Sequence, residues 1–471
     1  MPDDASLNRR TLLKFGATVG AGLALPAVGA AELRTDQPAT SGRAVHLVIR
    51  HATVLSMEPG AAAMNDTDVQ MRDGRIVAVG NSLPGEGAES IDATGMILIP
   101  GLVDSHWHLW NSVLRNSAPA PGGEAFFKSQ LAVSKRFTPQ ISALGVRLGL
   151  LEAANSGITT VNNWAHNLRD SAFAQAELKA LFASGLRGRF WYGYAQDLDA
   201  TAAMDFADIQ RVQAQLRSMP VSRVDMGLAI RGPERTSAAI WEPEFAFAKA
   251  HGLPISTHIA VTAKTQKEKA LQQLASRGVL GPSVQLVHAT HVDAQDIETI
   301  AQSGASVCLT PLTEMRVGYG LAQVDALHRA KIPITLGIDT LVLSGNANPF
   351  MVMQTLLNLA VGMSGNEQAL TARDVLFWAT QGGANAMGLG GQIGSITPGK
   401  RADLTLIDAR RLGMMPVLDP FASVVQSATP ADVDTVIADG RVLKRGGRLL
   451  GSDCAALTRE IAGQLRALGL P

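Results

Sequence analysis

Cysteine is almost absent. Two in 471 residues, Cys308 inside an apolar run and Cys454 near the C-terminus, cannot build a disulfide framework. Both are read as reduced, and neither as a nucleophile. An excess of charge of either sign is lacking too: 41 basic residues stand against 41 acidic ones. That balance removes the global field expected of a partner for nucleic acid or for an anionic membrane. A small neutral or mixed-charge molecule is the partner this leaves, and the composition keeps both a monomer and a homo-oligomer open. Long apolar runs are also missing. The Gly- and Ala-rich stretch from Thr11 to Leu25 falls short of the ~20 strongly apolar residues that span a bilayer.

That short stretch has its own meaning. It follows Arg9-Arg10 and leads to Pro26 and Val28-Gly29-Ala30. A paired arginine, a modest apolar region and a small-residue cleavage site read as a twin-arginine signal peptide over residues 1–31, cut near Ala30 or Ala31. A flexible segment over 32–44 is expected after it. The implied partner is the twin-arginine export machinery, which carries folded proteins. The mature chain is then expected in the periplasm or outside the cell, with no membrane association after cleavage.

From Val45 to Ile97 the runs VHLVIRHATVL, DVQMRDGRIVAVG and ESIDATGMILI alternate with turns, and Asp73-Gly74 is a hairpin signal. The same pattern returns in LTLID and DTVIADGRVLKRGGRLL, with a second Asp-Gly at 439 and 440. Strands at both ends predict a small discontinuous β-sandwich domain built from residues 45–97 and 394–450. It clasps a central domain over 98–393 and is followed by a C-terminal helix over 451–471. His46 and His51 fall in these outer strands and receive no role.

In the central region β-branched runs alternate with helical patterns. The strands end in DSHWH, GITTVNNW, GRFWYGY, VDMGLAIRG, PISTHI, VQLVHAT, SVCLTPL and PITLGIDT, eight in all. Eight βα units in series predict an α/β fold of the (β/α)8 TIM-barrel type, whose chemistry sits at the C-terminal strand ends. The polar residues follow that rule: His106 and His108 end strand one, His258 strand five, His288 strand six and Asp339 strand eight.

Histidines at i and i+2 of a strand share a face, so His106 and His108 converge. A barrel gathers them with His258 and Asp339 around one mouth, where three imidazoles and a carboxylate suit a divalent ion. Zinc fits that set best, with iron or manganese as alternatives. Trp110, in phase with the two histidines, and Trp164 are expected to form a flat apolar wall for an organic substrate. Trp107 points the other way, into the core. His251 and His328 lie in helix patterns beside polar residues and are read as surface groups.

The run Ile97 to Leu109, ILIPGLVDSHWHL, together with the later GSITPGKRADLTLID, resembles the amidohydrolase superfamily over roughly residues 45–450. The resemblance implies that His106, His108, His258 and Asp339 are metal ligands. Many relatives hold two metals bridged by a lysine on the fourth strand. VDMGLAIRG has none, which implies one metal and the mononuclear branch that includes cytosine deaminase and the triazine hydrolases. In that branch a glutamate that shuttles protons commonly follows the fifth-strand histidine by three residues. Val261 stands there and moves no proton. The chain looks closer to a group with Trp-x-His after strand two, here Trp164 to His166, and Pro-x-x-Glu-Met after strand seven, here Pro311 to Met315.

These residues predict metal-assisted hydrolysis of a non-peptide C–N bond in a small amide, carbamate, urea or lactam. Asp339 takes the proton of the attacking water and His288 hydrogen-bonds the developing oxyanion. Glu314 is expected at the mouth as a substitute acid or as a clamp for a substrate amine. His166 and, with less support, His291 are expected to contact substrate. Deamination or dechlorination of a heterocycle is the alternative enzyme, and an inactive periplasmic ligand-binding barrel is the non-enzymatic one. Substrate choice is expected in the loops Asn111–Gln130 and Val317–Gln323.

Overall fold

The computed structural model describes residues 46–118, 123–219 and 222–470. The expected signal peptide and the segment after it lie outside the described residues.

Two sheets dominate. Eight parallel strands follow one another in chain order: Leu102–Trp107, Ile158–Ala165, Arg187–Tyr192, Val224–Ala229, Ile255–Ile259, Val284–His288, Ser306–Leu309 and Ile334–Leu336. Nearly every residue of these strands is buried, as a parallel sheet covered by helices requires. Each coincides with one of the eight runs expected from the sequence. A parallel bridge between Trp107 and Asp339 brings the last strand's extension back to the first, so the barrel nearly closes. The helix Ala294–Ser303 shows how the connections are fixed. Asp293 accepts from the Asp296 amide (2.9 Å) while Asp296 accepts from the Asp293 amide (3.2 Å), a reciprocal cap. A left-handed Gly304 ends it.

The other sheet has nine strands drawn from both ends of the chain. It is one continuous, branched sheet. The first half of Leu47–Val54 pairs with Glu89–Asp92 and the second half with Met96–Pro100, while its other edge carries Met64–Arg72. Met96–Pro100 then pairs antiparallel with Leu404–Asp408, which joins the two ends of the chain. The sheet encloses its own apolar core, including Leu47, Val69, Met71, Leu98, Leu404 and Ile437. Both Asp-Gly pairs form two-residue hairpin turns with positive φ at each position: 53° and 75° at Asp73 and Gly74, 50° and 75° at Asp439 and Gly440. The two turns touch. A Cβ on Gly440 would lie 2.5 Å from the Gly74 Cα, so glycine is required there for packing as well as for φ.

Buried Arg187, opening the third barrel strand, joins the barrel to this sheet. It donates to Asp403 (3.0 Å) and Asp439 (3.2 Å), and Asp403 also accepts from the Asp439 amide (2.6 Å). At the C-terminus, Cys454–Ala467 is a helix tied to Pro139–Asn155 by an Arg147–Glu460 ion pair of 3.1 Å. Cys308 is buried, Cys454 is exposed, and both are free thiols. Among the described residues no helix is long and apolar enough to cross a membrane.

Candidate metal centre and active site

The strand pleat brings the rings of His106 and His108 to 4.7 Å. Their Nε2 atoms lie 3.2 Å apart. The eighth strand reaches them by a close approach: the Asp339 amide donates to the His106 carbonyl (2.8 Å) and the His108 amide to the Asp339 carbonyl (2.6 Å). Gly337 permits it, because a Cβ there would meet the His106 carbonyl oxygen at 2.6 Å. Buried Asp104, the acid of the DSHWH run, accepts from the amides of Ile338 (2.7 Å) and His106 (3.2 Å). Burial holds its carboxyl well above the usual range. The strand ends are strained: His288 has φ 73° and Asp339 has φ 65°. Positive φ at non-glycine residues is a feature that clusters at functional sites.

One nitrogen from each of His106, His108 and His258 lies within 4.8 Å of the others. Asp339 Oδ1 is 3.1 Å from His108 Nε2 and 3.4 Å from His106 Nε2. Burial pushes the His106 imidazole down to about 3 and His258 well below its ordinary value, so both are neutral and offer lone pairs. Burial alone would raise Asp339, but the facing imidazoles hold it well below the usual carboxylate range. His108 Nδ1 donates to the Trp164 carbonyl (3.3 Å), which turns Nε2 toward the cluster. Nitrogen and carboxylate donors crowded together in this way fit a divalent cation of the zinc type.

His288 stands beside this cluster, its ring 5.1 Å from that of His258. Its Nδ1 faces Glu314 Oε1 (3.3 Å) and Thr310 Oγ1 (3.1 Å). Glu314 does not reach the mouth, in contrast to the expectation from sequence. It is only 1% exposed, because the helix Pro311–Val317 begins at Pro311 and the carboxylate folds back to accept from the Thr310 amide (2.8 Å). It therefore acts through His288.

Two further expectations change. Trp110 is not a wall of the cavity. The strand ends at Trp107 and the chain continues as a 3₁₀ helix over Leu109–Leu114, so the alternation that put Trp110 in phase with the histidines stops. Fully buried, its indole donates to His166 Nδ1 (3.1 Å). The His166 ring is 4.1 Å from that of His108, and its Nε2 lies 3.0 Å from Gln196 Nε2. His291 does not line the main cavity either; its Nε2 donates to the Tyr319 carbonyl (2.5 Å) and holds that loop. Trp164 does line the cavity, its ring 4.4 Å from that of His258. Beneath it a chain of buried hydrogen bonds runs from Trp164 Nε1 to Ser256 Oγ (3.0 Å), on to Gln285 Oε1 (2.8 Å), and from Gln285 Nε2 to the Ser105 carbonyl (3.1 Å).

Residues 97–443 match the Amidohydrolase family. The chain belongs to that family. It is 30% identical over 400 residues to a 5′-deoxyadenosine deaminase of Methanothermobacter thermautotrophicus, a match spanning 83% of this chain and 92% of that one. A 5-methylthioadenosine/S-adenosylhomocysteine deaminase of Halobacterium salinarum is 29% identical over 414 residues, 85% of this chain and 93% of that one. The structure of an adenosine deaminase from Xanthomonas campestris with bound zinc superposes with a TM-score of 0.83 at 25% identity, covering 90% of this chain and 99% of that one. The zinc complex of an atrazine chlorohydrolase from Arthrobacter aurescens shares the fold, with a TM-score of 0.78 at 22% identity over 88% and 99% of the two chains. The protein is thus an enzyme, an amidohydrolase acting on carbon–nitrogen bonds other than peptide bonds.

The amidohydrolase cavity, about 340 Å³, opens over His108, His258, His288 and Asp339. Its walls include Trp164, Tyr194 and Tyr319, with Phe126 and Phe127 from the first of the two expected specificity loops. Tyr194, Gln196, Arg231 and Arg235 were missed from the sequence. They lie on loops after strands three and four, where no periodicity marks direction. Val261 is buried and borders a side cavity of about 190 Å³ rather than the main one.

Proposed function

We propose that this amidohydrolase removes an exocyclic amine from a planar heterocycle by metal-assisted attack of water. The deaminase relatives support this alternative over the amide, carbamate, urea or lactam hydrolysis expected from the sequence. The observation that carries it is the carboxylate-backed His288 at an aromatic-walled cavity, which offers a proton donor in a site where position 261 has none.

A single divalent ion of the zinc type held by His106, His108, His258 and Asp339 would supply Lewis acidity and bring the pKa of water toward ~7. Asp339, whose Oδ1 faces the histidines, accepts the proton of the attacking water on Oδ2. His288, held at Nδ1 by Glu314 and Thr310, gives a proton from Nε2 to the ring nitrogen. The water oxygen bonds to the ring carbon, the ring nitrogen takes the His288 proton, and Asp339 passes the first water proton to the exocyclic amine. As the C–N bond breaks, the remaining hydroxyl proton restores His288 and ammonia leaves. Trp164 and Tyr319 flank the ring, and His166 is held against the metal cluster by Trp110. Arg9 and Arg10 direct the folded enzyme to the periplasm or beyond in this reading.

Val261 favours the amide-type reading, because hydrolysis at an acyl carbon requires no protonation of a ring nitrogen. A panel separates the two. Zinc-loaded enzyme is expected to release ammonia from aminopurine nucleosides, aminopyrimidines or aminotriazines. Turnover confined to hydantoins, lactams, ureas and carbamates would reverse the order of the two readings.

A further inference from the structure

We infer that Arg235 recognises an anion and that the substrate carries a carboxylate. The inference rests on the cavity above being the substrate site. Two arginines line that cavity, and they differ in what they face. Arg231 is buried and already engaged: it donates to the carbonyls of Asp199 (2.8 Å), Leu198 (3.4 Å) and Ala202, with Glu244 at 3.7 Å. Arg235 is exposed at the cavity wall, and among the described residues no carboxylate oxygen lies within 4.0 Å of its guanidinium.

Its neighbour Glu234 borders the same side cavity but forms no ion pair with it within 4.0 Å. Glu234 Oε1 is buried without a hydrogen-bond partner, and burial raises its carboxyl above the ordinary range. The Arg235 guanidinium stands 6.0 Å from the centre of the Phe127 ring, which stacks with Tyr319 at 6.4 Å. This aromatic shelf supports a cation without discharging it.

The remaining walls do not offset that charge. Apart from Asp339, which faces the histidines, no acid lines the main cavity among the described residues. A planar fork with no protein acceptor among the described residues is suited to a bidentate pairing with one carboxylate. The same fork also matches a phosphate, and the phosphate arm of the test below separates the two. The result is a cavity lined by the metal cluster and by a guanidinium without a carboxylate partner among the described residues, fitted to a molecule with an amine-bearing ring and an acidic group.

The test is calorimetric binding to the zinc-loaded full chain, using matched pairs that differ only in charge. Adenosine-5′-carboxylic acid is compared with adenosine-5′-carboxamide, and cytosine-5-carboxylic acid with its carboxamide. At least one acid is expected to bind about tenfold more tightly than its amide, with an advantage that shrinks as salt rises. The advantage should vanish in Arg235→Gln and return in part in Arg235→Lys, with unchanged circular dichroism in both variants. Equal affinity within both pairs, a preference that survives Arg235→Gln, or no binding by any of the four overturns the assignment. Adenosine 5′-phosphate binding more tightly than the carboxylic acid overturns the carboxylate class. Ammonia is measured separately: an acid that binds through Arg235 without releasing ammonia removes the deaminase reading and leaves this one standing.

Discussion

Replacing Glu177 by Gln should stabilise the protein, and by an amount that depends on pH. Glu177 lies on the helix Ser171–Ser184 behind the second barrel strand, fully buried. Its Oε1 accepts from Ser142 Oγ (2.5 Å) and its Oε2 from Asn163 Nδ2 (2.8 Å), while Asn163 Oδ1 has no partner. Burial raises the carboxyl from 4.5 to about 7. Below pH 4.5 the group is protonated both folded and unfolded and has no effect on stability. As pH rises toward 7 the unfolded chain ionises first, and the fold loses about 1.4 kcal/mol per pH unit. Above that the loss levels off near ~3 kcal/mol. Gln stays neutral throughout, and with the Asn163 amide turned over it donates to the unpaired Oδ1. Guanidinium and thermal unfolding at pH 5, 6, 7 and 8 should show a Gln-minus-wild-type difference that grows with pH to about 3 kcal/mol. For a chain this long, that is roughly 3 °C in Tm. The metal centre's own pH dependence cancels in the difference. A difference that is constant across pH, or a variant less stable at pH 8 than at pH 5 relative to wild type, would refute the reasoning.

Asp403→Ala should lower stability by ~3 kcal/mol, since it leaves Arg187 buried with one of its two carboxylates removed; denaturant unfolding measures it. His288→Ala should reduce kcat by ~10² to 10³, and Glu314→Gln by about tenfold, both with zinc content unchanged. Loss of the metal in Glu314→Gln would show that it supports the ligands rather than His288. Changing Arg9 and Arg10 together to Lys should stop export, read by fractionation; unchanged delivery would dismiss the twin-arginine signal.

The barrel was legible because its strands are continuous apolar runs between helical patterns, and His106, His108, His258, His288 and Asp339 all fall where such runs end. Local changes of conformation were not. Trp110 was assigned by strand alternation, which fails one turn later in a 3₁₀ helix. Glu314 looked like a loop acid until its helix placed it under the Thr310 amide. The branching of the outer sheet depends on Leu47–Val54 changing partner halfway along, which no local pattern encodes. Arg235 and Tyr319 owe their place in the cavity to loop geometry alone.

The central claim is that hydrolysis depends on a metal held by His106, His108, His258 and Asp339. It is tested most directly by measuring zinc content and ammonia release on the same samples: the protein as purified, after chelation, after zinc is restored, and as the Asp339→Asn and His258→Ala variants. The account predicts about one equivalent of metal in the purified protein. Activity should be lost on chelation and regained with zinc, metal should be depleted in His258→Ala, and turnover should be abolished in Asp339→Asn. Hydrolysis that persists in the chelated protein, or near-normal turnover in Asp339→Asn, would contradict it.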